Sequence, residues 1–169
     1  MSAIKAIVIT ISDRCARGEQ EDISGAALVE LLREAQAEVI AHEVVSDDLE
    51  PLCIKLRELS DRPEVNLVVT TGGTGFAARD NTPEATRAVI EKEAPGLAEA
   101  MRLESLKHTP TAMVSRGVCG IRSGTLIVNL PGSPKAVRES FAVIRPVLDH
   151  AVSLLAGETS HKAAHEQAR

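Results

Sequence analysis

The sequence predicts a three-layer α/β fold, an αβα sandwich built around a mostly parallel sheet. Short apolar segments alternate along the chain with longer segments in which apolar residues recur at helical spacing. Two of the short segments run directly into a glycine turn and then into a helix start, which is typical of parallel strands joined by helices. Several short segments are apolar almost throughout, which indicates strands that are buried on both faces.

Composition argues against several classes of function. The chain has 169 residues, 44% hydrophobic and 25% charged, which fits one globular domain with a substantial core. Phe76 and Phe141 are its only aromatic residues, so it lacks the stacking platforms that bind single-stranded nucleic acid. The net charge of −5 argues against general binding to nucleic acid or to anionic membranes. Without an apolar run of spanning length or a signal-peptide layout, we expect a cytoplasmic protein.

The chain divides into a domain at residues 1–157 and a polar C-terminal tail at residues 158–169 that is expected to be disordered. Three cysteines, Cys15, Cys53 and Cys119, are widely spaced and form no metal-binding pattern. We therefore interpret them as reduced structural thiols.

The first strand is predicted at residues 4–11, and its apolar character places it centrally in the sheet. Ser12 and Asp13 follow directly, at the edge where open α/β sheets bind ligands. Asp22 precedes the first long helix, and a role as helix cap would be sufficient to explain it.

The second strand, predicted at residues 38–45, also ends in acidic residues. Asp47 and Asp48 precede a helix with Leu52, Leu56 and Leu59 on one face, so helix capping is one interpretation. Two adjacent carboxylates at a strand end would equally suit Mg²⁺, a hydroxyl group or an amine.

A third strand leads into a glycine loop at residues 72–75. Gly72, Gly73 and Gly75 lack a Cβ, which permits left-handed backbone angles and close approach of a ligand to main-chain N–H groups. The loop matches neither the P-loop pattern nor the dinucleotide-binding fingerprint.

A helix start follows the glycine loop. Thr82 is predicted as the N-cap, with Pro83 at the first helical position and Glu84 complementing the helix dipole. Asp80 and Thr82 therefore lie beside a helix N-terminus, where anions are commonly bound. An ordinary strand-to-helix turn is the alternative interpretation of this segment.

The pattern over residues 86–107 is helical, but Pro95 must break or kink the helix. Its second part carries Leu97 and Met101 on one stripe, and we expect this stripe to pack on the body or on another subunit.

Shorter segments complete the chain. Residues 111–115 are predicted as a short strand, and residues 116–123 as a turn or ribbon because they contain two glycines and two arginines. Residues 125–130 form the last strand, and the helix after it is predicted to reach about residue 156.

The strand, glycine turn and helix start then recur. Pro131 and Gly132 form the turn, Ser133 is the predicted N-cap, Pro134 takes the first helical position and Lys135 lies in the first turn. Two strand ends thus present glycine backbones and helix N-termini, which favours binding of phosphate or carboxylate.

Several segments, in this order, resemble the molybdopterin adenylyltransferases, the group of MogA, MoaB and the G domains of plant Cnx and gephyrin. They are ITISDR with EDISG, TTGGTGFAARDNTPEAT, PGLAEAMRLESLK, TPTAMVSR and LIVNLPGSPKAVRE, and the resemblance extends from about Ile4 to Gly157. The loop TTGGTG differs from the GGLGPT that is typical of nucleotide amidases of the competence-damage type, and from the glycine loop of molybdenum insertases.

The resemblance implies the fold of molybdenum cofactor biosynthesis proteins and a molybdopterin-binding, adenylyltransferase domain at residues 1–157. It also implies a homotrimer that uses Mg²⁺ and ATP. Such proteins transfer AMP to the terminal phosphate of molybdopterin, release pyrophosphate and pass the product to a molybdenum insertase. The alternatives are a non-catalytic molybdopterin-binding or scaffold protein and a hydrolase on the same fold.

Carried over by position, the acidic residues of the family fall on Asp22, Asp47 and Asp80, the loop threonine on Thr74 and the pterin-side serine on Ser115. We predict that Asp47, Asp80 and Thr74 are catalytic and that Asp47 and Asp80 bind Mg²⁺. Arg14, Arg79 and Lys135 are candidate charge partners, although each could equally be a solvated surface charge. The predicted residues for binding substrate or ATP are Ser12, Asp13, Asp22, Gly72, Gly73, Gly75, Thr82, Ser115, Arg116, Pro131, Gly132, Ser133 and Lys135.

Overall fold

A computed structural model describes residues 3–158 of the protein. Its six-stranded sheet has the order β2-β1-β3-β6-β5-β4. The strands are β1 (Lys5–Ile11), β2 (Glu38–Val45), β3 (Leu67–Thr71), β4 (Lys92–Glu93), β5 (Cys119–Arg122) and β6 (Thr125–Leu130). The first four strands in the spatial order are parallel, whereas β5 and β4 join antiparallel. The predicted mostly parallel sheet is confirmed.

Helices cover both faces of the sheet and complete the three layers. They are α1 (Asp13–Ala16), α2 (Ile23–Glu34), α3 (Leu49–Ser60), α4 (Thr82–Val89), α5 (Pro95–Leu106) and α6 (Pro134–Leu155), with a 3₁₀ helix at Pro110–Val114. One core lies between the sheet and α2, α5 and α6, and the other between the sheet and α3 and α4. None of the helices at residues 3–158 is both long and apolar enough to cross a membrane.

Successive side chains of β1 alternate between the two cores. Ala6 and Val8 belong to the core beneath α2, α5 and α6, whereas Ile7 and Ile9 belong to the core beneath α3 and α4. Successive side chains of a strand point to opposite faces of the sheet, so a strand buried on both faces is apolar throughout. The run AIVI therefore follows directly from the place of β1 inside the sheet.

The parallel strands end at a common edge, and this edge positions the candidate site. Thr10 of β1 lies opposite Thr71 of β3, which in turn lies opposite Leu130 of β6. The loops that follow these strands, beginning at Ser12, Gly72 and Pro131, therefore leave the sheet side by side.

Two predicted elements differ from the structure. Residues 110–114 form a 3₁₀ helix instead of the predicted strand, and Thr109 starts it by accepting a hydrogen bond from the N–H of Thr111. The helical pattern over residues 86–107 is divided, because β4 pairs with β5 between α4 and α5. The predicted break at Pro95 is confirmed, since α4 ends at Val89 and Pro95 lies in the first turn of a separate helix, α5.

The start of α4 also differs by one residue from the prediction. Asn81 occupies the N-cap position without a side-chain capping bond, and Thr82 is the first helical residue. The hydroxyl of Thr82 donates instead to the carbonyl oxygen of Gly72 at 2.8 Å.

The remaining elements agree with the sequence. The predicted turn or ribbon at residues 116–123 contains β5, which a tight turn at Ser123 and Gly124 joins to β6, with both residues at positive φ. The last helix, α6, ends at Leu155, close to the predicted residue 156. Of the predicted tail, only Glu158 falls within the described residues, so the prediction for residues 159–169 lies outside them.

Candidate active site

Most of the predicted site residues lie at the shared edge of the sheet. The N–H of Ser12 donates to the carbonyl oxygen of Val45 at 3.0 Å, which joins the ends of β1 and β2. The N–H of Gly72 donates to the carbonyl oxygen of Leu130 at 3.2 Å, which joins the ends of β3 and β6. Loops that are more than 30 residues apart in sequence thus meet in one place.

The turn after β3 requires glycine at two positions. Gly72 and Gly73 have φ of 102° and 64°, in the left-handed region that other residues rarely adopt. A Cβ on Gly72 would lie 2.3 Å from the carbonyl oxygen of Ile11, and one on Gly73 would lie 2.4 Å from the hydroxyl of Thr82. Glycine therefore brings the loop against both the end of β1 and the start of α4.

Asp47 and Asp13 are joined by two reciprocal hydrogen bonds. The N–H of Asp13 donates to Oδ2 of Asp47 at 2.8 Å, and the N–H of Asp47 donates to Oδ1 of Asp13 at 3.1 Å. Burial raises the pKa of Asp47 above its ordinary value, and the negative charges of Asp13 and Asp80 add to this effect, while the Asp13 N–H opposes it. A cation beside Asp47 would relieve this repulsion.

Asp80 lies on the other side of the same space, at the end of the glycine loop. Its Oδ2 accepts a hydrogen bond from the N–H of Ala77 at 2.9 Å and lies 2.9 Å from the place that a Cβ on Gly75 would occupy. Thr74, the predicted catalytic threonine, precedes Gly75 in the same loop and is buried, with 7% of its surface exposed.

The donor set fits magnesium bound together with phosphate. Residues 3–158 contain no group of three or more His, Cys, Asp or Glu side chains that could hold a metal ion. Both carboxylates lie against the glycine loop, since Oδ1 of Asp47 is 3.2 Å from the place that a Cβ on Gly73 would occupy and Oδ2 of Asp80 is 2.9 Å from the corresponding place at Gly75. Mg²⁺ is commonly bound by one or two carboxylates plus substrate phosphates, which is the chemistry that this pair offers.

Arg79 holds two neighbouring carboxylates. Its Nε and Nη2 donate to the two oxygens of Asp13 at 2.9 and 2.8 Å, and its Nη1 donates to Oδ1 of Asp48 at 2.9 Å. Arg79 lowers the pKa of both carboxyl groups, and the N–H of Asp47 lowers that of Asp13 further. Asp13 and Asp48 are therefore ionised and charge-compensated at neutral pH.

Arg116 holds the glycine loop from the opposite side. Its Nε donates to the carbonyl oxygen of Gly75 and its Nη2 to that of Asp80, each at 2.8 Å, and it forms an ion pair with Glu84. The main-chain N–H of Arg116 also donates to the carbonyl oxygen of Thr74 at 2.8 Å. The predicted substrate-binding side chain is thus directed onto the loop in this structure.

A cavity of about 240 Å³ opens between the glycine loop, α5 and α6. It brings together Gly75, Ser115, Pro131 and Ser133, which were all predicted as site residues. Ala98 and Met101 of α5 supply apolar wall. The cavity therefore combines apolar surface with a few polar groups, which is typical of sites for small organic ligands.

A smaller cavity of about 200 Å³ lies on the other side of the turn before α6. Alternate residues of the turn divide between the cavities, since Pro131 and Ser133 line the larger one whereas Gly132 and Pro134 line the smaller. Ser133 caps α6 by accepting from the N–H of Ala136 at 3.1 Å, as predicted. The positive end of the α6 dipole thus lies between the two cavities.

Asp22 and Ser12 line the smaller cavity, and both are also helix caps. The carboxylate of Asp22 accepts from the N–H of Gly25 at 2.8 Å and from the hydroxyl of Thr10 at 2.5 Å. It also lies 2.9 Å from Nε2 of His42. The predicted capping role of Asp22 is confirmed.

Two candidate charge partners lie outside this arrangement. The side chain of Lys135 is 82% exposed and lies 3.9 Å from Glu139, whereas Arg14 is exposed on α1. Of the three basic residues considered from sequence, Arg79 alone contacts the site carboxylates within the described residues.

Asn129 is a site residue that the sequence reasoning missed. It lies in β6, lines the larger cavity and is 2% exposed. Its Nδ2 donates to the hydroxyls of Thr70 and Thr86 at 3.1 and 3.0 Å, and its Oδ1 accepts from the N–H of Val118. An asparagine within the otherwise apolar run LIVNL was the available signal.

Comparison with known proteins establishes the family. Residues 7–150 match the family described as probable molybdopterin binding domain. This chain therefore belongs to that family, and the resemblance noted in the sequence is confirmed.

Individual relatives agree with this assignment. The protein named molybdopterin adenylyltransferase from Helicobacter pylori strain J99 is 43% identical over 159 residues, which cover 93% of this chain and 90% of the relative. The Drosophila melanogaster molybdenum cofactor synthesis protein cinnamon is 48% identical over 95% of this chain, which spans only 27% of cinnamon. The crystal structure of the molybdopterin biosynthesis enzyme MoaB from Thermus thermophilus superposes with a TM-score of 0.85 and 49% identity, covering 91% of this chain and 97% of that chain.

Proposed function

We propose that this protein is a molybdopterin adenylyltransferase of molybdenum cofactor biosynthesis. It transfers AMP from ATP to the terminal phosphate of molybdopterin and releases pyrophosphate. The observation that carries the proposal is the 43% identity to an enzyme of that name over 90% of the length of that enzyme. The grouping of the predicted carboxylates, glycine loop and cavity at one edge of the sheet supports it.

The reaction brings an anionic phosphate nucleophile to the anionic α-phosphate of ATP. Catalysis must therefore hold the two groups in line and compensate their charge. Main-chain N–H groups of Gly73, Thr74 and Gly75 in the glycine loop, and of Ser133 and Lys135 at the α6 start, are suited to bind phosphate oxygens. Because the pterin phosphate attacks, no carboxylate nucleophile is required.

Asp47 and Asp80 would hold Mg²⁺ in this reaction. The ion would supply charge neutralisation for the phosphate groups. Asp47 is suited to this role because its carboxylate is half-buried and is repelled by the negative charges of Asp13 and Asp80. Asp80 ends the loop that Arg116 fixes, which places its carboxylate relative to the phosphates.

The cavity of about 240 Å³ is the proposed binding site for the pterin. Ser115 offers a hydroxyl at its wall, and Ala98 and Met101 offer apolar surface to a fused ring. The glycine loop also lines it through Gly75, so a ligand in the cavity would lie beside the proposed nucleotide site. This arrangement suits a transfer between two bound substrates.

A homotrimer remains a prediction from the resemblance, and we expect α5 to contribute to its interface. Leu103 and Leu106 of α5 and Met113 of the 3₁₀ helix are 66%, 40% and 68% exposed. Large exposed apolar side chains in one region are typical of interaction surfaces. Sedimentation velocity would test this, since a Leu103→Glu variant is expected to dissociate and an unchanged sedimentation coefficient would exclude Leu103 from the interface.

Cytoplasmic location and delivery of the product to a molybdenum insertase complete the proposal. Cys15, Cys53 and Cys119 are all free thiols, which agrees with a reducing compartment. Adenylyl-molybdopterin is the activated form that an insertase would accept.

The function can be tested with an Asp80→Asn variant. Purified wild-type protein, molybdopterin, ATP and Mg²⁺ are expected to yield adenylyl-molybdopterin, and Asp80→Asn is expected to abolish product while retaining the fold. Asp149→Asn, an equivalent change at an exposed position of α6, serves as the control and should retain full turnover. Full turnover by Asp80→Asn would exclude the role given to Asp80, and pterin binding without ATP affinity in the wild type would indicate a scaffold protein.

A further inference from the structure

Four carboxylates converge on the edge where the cation is expected, yet they have unequal partners. Asp13, Asp47, Asp48 and Asp80 follow three different strands. In the described part of the chain, Arg79 contacts only two of them, through three of its hydrogen-bond donors. The carboxylates of Asp47 and Asp80 accept their hydrogen bonds from main-chain N–H groups.

We propose that Arg79 is a positioning residue that withholds Asp13 and Asp48 from the divalent cation, so that the cation binds at Asp47 and Asp80 and needs nucleotide phosphates to complete its ligands. The nature of the ion rests on the proposed function. The withholding itself rests on the contacts of Arg79.

The geometry suits a guanidinium in particular. Two parallel hydrogen bonds, from Nε and Nη2 of Arg79 to the two oxygens of Asp13, occupy the face of that carboxylate which a cation would otherwise approach. The remaining terminal nitrogen reaches Asp48. A lysine ammonium is a point charge and cannot form this fork, so it would release one of the two carboxylates.

Withholding is needed because the carboxylates are close together. The described residues contain no group of three acidic side chains arranged to hold a metal ion. The Asp13 and Asp47 loops nevertheless exchange reciprocal hydrogen bonds, so an Asp13 side chain released by Arg79 would be free to rotate toward the ion beside Asp47. Divalent cations bind more tightly as carboxylate ligands are added. A site with three or four carboxylates would hold the ion without nucleotide and would leave fewer positions for phosphate oxygens.

Arg79 contributes little to stability, which makes the inference testable. Its side chain is 55% exposed, and exposed ion pairs contribute little to the free energy of unfolding. A variant at this position is therefore expected to fold, and its effects can be assigned to charge at the site. An unchanged melting temperature in the presence of a chelator is the check.

The test is a titration of Mn²⁺ alone, followed by electron paramagnetic resonance, on the full chain without ATP or molybdopterin. Arg79→Gln is expected to bind Mn²⁺ at least about tenfold more tightly than the wild type, since it removes one positive charge and frees two carboxylates. Arg79→Lys should fall between them. Arg62→Gln, which removes the arginine of an exposed pair with Glu64, is the matched control and should leave the affinity unchanged.

A second variant identifies the ligands. Adding Asp13→Asn and Asp48→Asn to Arg79→Gln should return Mn²⁺ affinity to the wild-type value, because the released carboxylates are then absent. Equal or weaker Mn²⁺ binding by Arg79→Gln would overturn the inference, as would tight binding that persists in the triple variant.

The outcome is independent of adenylyl transfer. If the wild type forms no product but Arg79→Gln still tightens Mn²⁺ binding, the proposed function fails and the role of Arg79 stands. If product forms but Mn²⁺ affinity does not rise in Arg79→Gln, the proposed function stands and the role of Arg79 fails.

Discussion

Arg116 donates from Nη2 to the main-chain carbonyl oxygen of Asp80 at 2.8 Å, although the two residues are 36 positions apart. A second donor, Nε, reaches the carbonyl oxygen of Gly75, so one guanidinium joins both ends of the segment from Gly75 to Asp80. The residues on either side of Arg116, Ser115 and Gly117, line the cavity of about 240 Å³. The loop that carries Asp80 is thereby tied to the wall of the proposed pterin site.

This contact predicts that Arg116 acts on turnover through the loop. Arg116→Gln should lower kcat by about 100-fold, since small displacements of positioned groups have effects of that size. The KM for molybdopterin should change little, and Arg138→Gln, an exposed arginine of α6, should behave as wild type. Steady-state kinetics at saturating ATP distinguish positioning of the loop from direct binding of substrate. A raised KM for molybdopterin with unchanged kcat would show that Arg116 binds the substrate.

Asn129 is predicted to be a large contributor to stability. Asn129→Ala leaves the hydroxyls of Thr70 and Thr86 and the N–H of Val118 without their partner in the core. Because buried polar groups without partners are costly, we expect the free energy of unfolding to fall by about 2–4 kcal/mol. Urea denaturation measures it.

Asn66 offers the comparison for this variant. Its side chain accepts a hydrogen bond from the N–H of Lys5 and donates one to the carbonyl oxygen of Ala3, but it is only partly buried. Asn66→Ala should therefore destabilise the protein clearly less than Asn129→Ala. Equal losses for the two variants would contradict the account of the Asn129 network.

Ionisation of the Cys119 thiol is expected to lower the stability of the protein at alkaline pH. Burial raises the pKa of its thiol from the ordinary value of 9.0 to about 12. Because the folded state holds this proton more tightly than the unfolded state, the stabilising contribution is complete below pH 9 and is lost as pH rises toward the folded-state pKa. Free energies of unfolding measured from about pH 8 to about pH 11 should fall less steeply in Cys119→Ala than in the wild type.

Thiol accessibility gives a companion measurement. A thiol reagent should modify Cys15 in the native protein while Cys119 stays protected, because Cys15 is partly exposed and Cys119 is buried. Cys15→Ala should leave the alkaline slope unchanged, and a slope that follows Cys15 would refute the assignment to Cys119.

Features that depend on local chemistry could be predicted from the sequence. The strands β1 and β3 were visible because burial on both faces demands an apolar run. The caps Asp22 and Ser133 were visible because capping uses a short side chain next to its own helix. The acidic strand ends and glycine turns followed from the same local rules.

Features that depend on distant partners could not be predicted. The short strand β4 exists because Lys92 and Glu93 pair with β5, and no periodicity marks two residues. The roles of Arg79 and Arg116 depend on partners up to 66 positions away, so the sequence alone could not separate them from solvated charges. The shift of the α4 cap from Thr82 to Asn81 arose because the hydroxyl of Thr82 bonds to Gly72.

The most direct measurement is a single-turnover reaction of the wild-type protein with molybdopterin, ATP and Mg²⁺, analysed by mass spectrometry. The account predicts adenylyl-molybdopterin and an equal amount of pyrophosphate, both dependent on the divalent ion. Binding of molybdopterin without formation of either product, in protein that is folded and supplied with Mg²⁺, would contradict it.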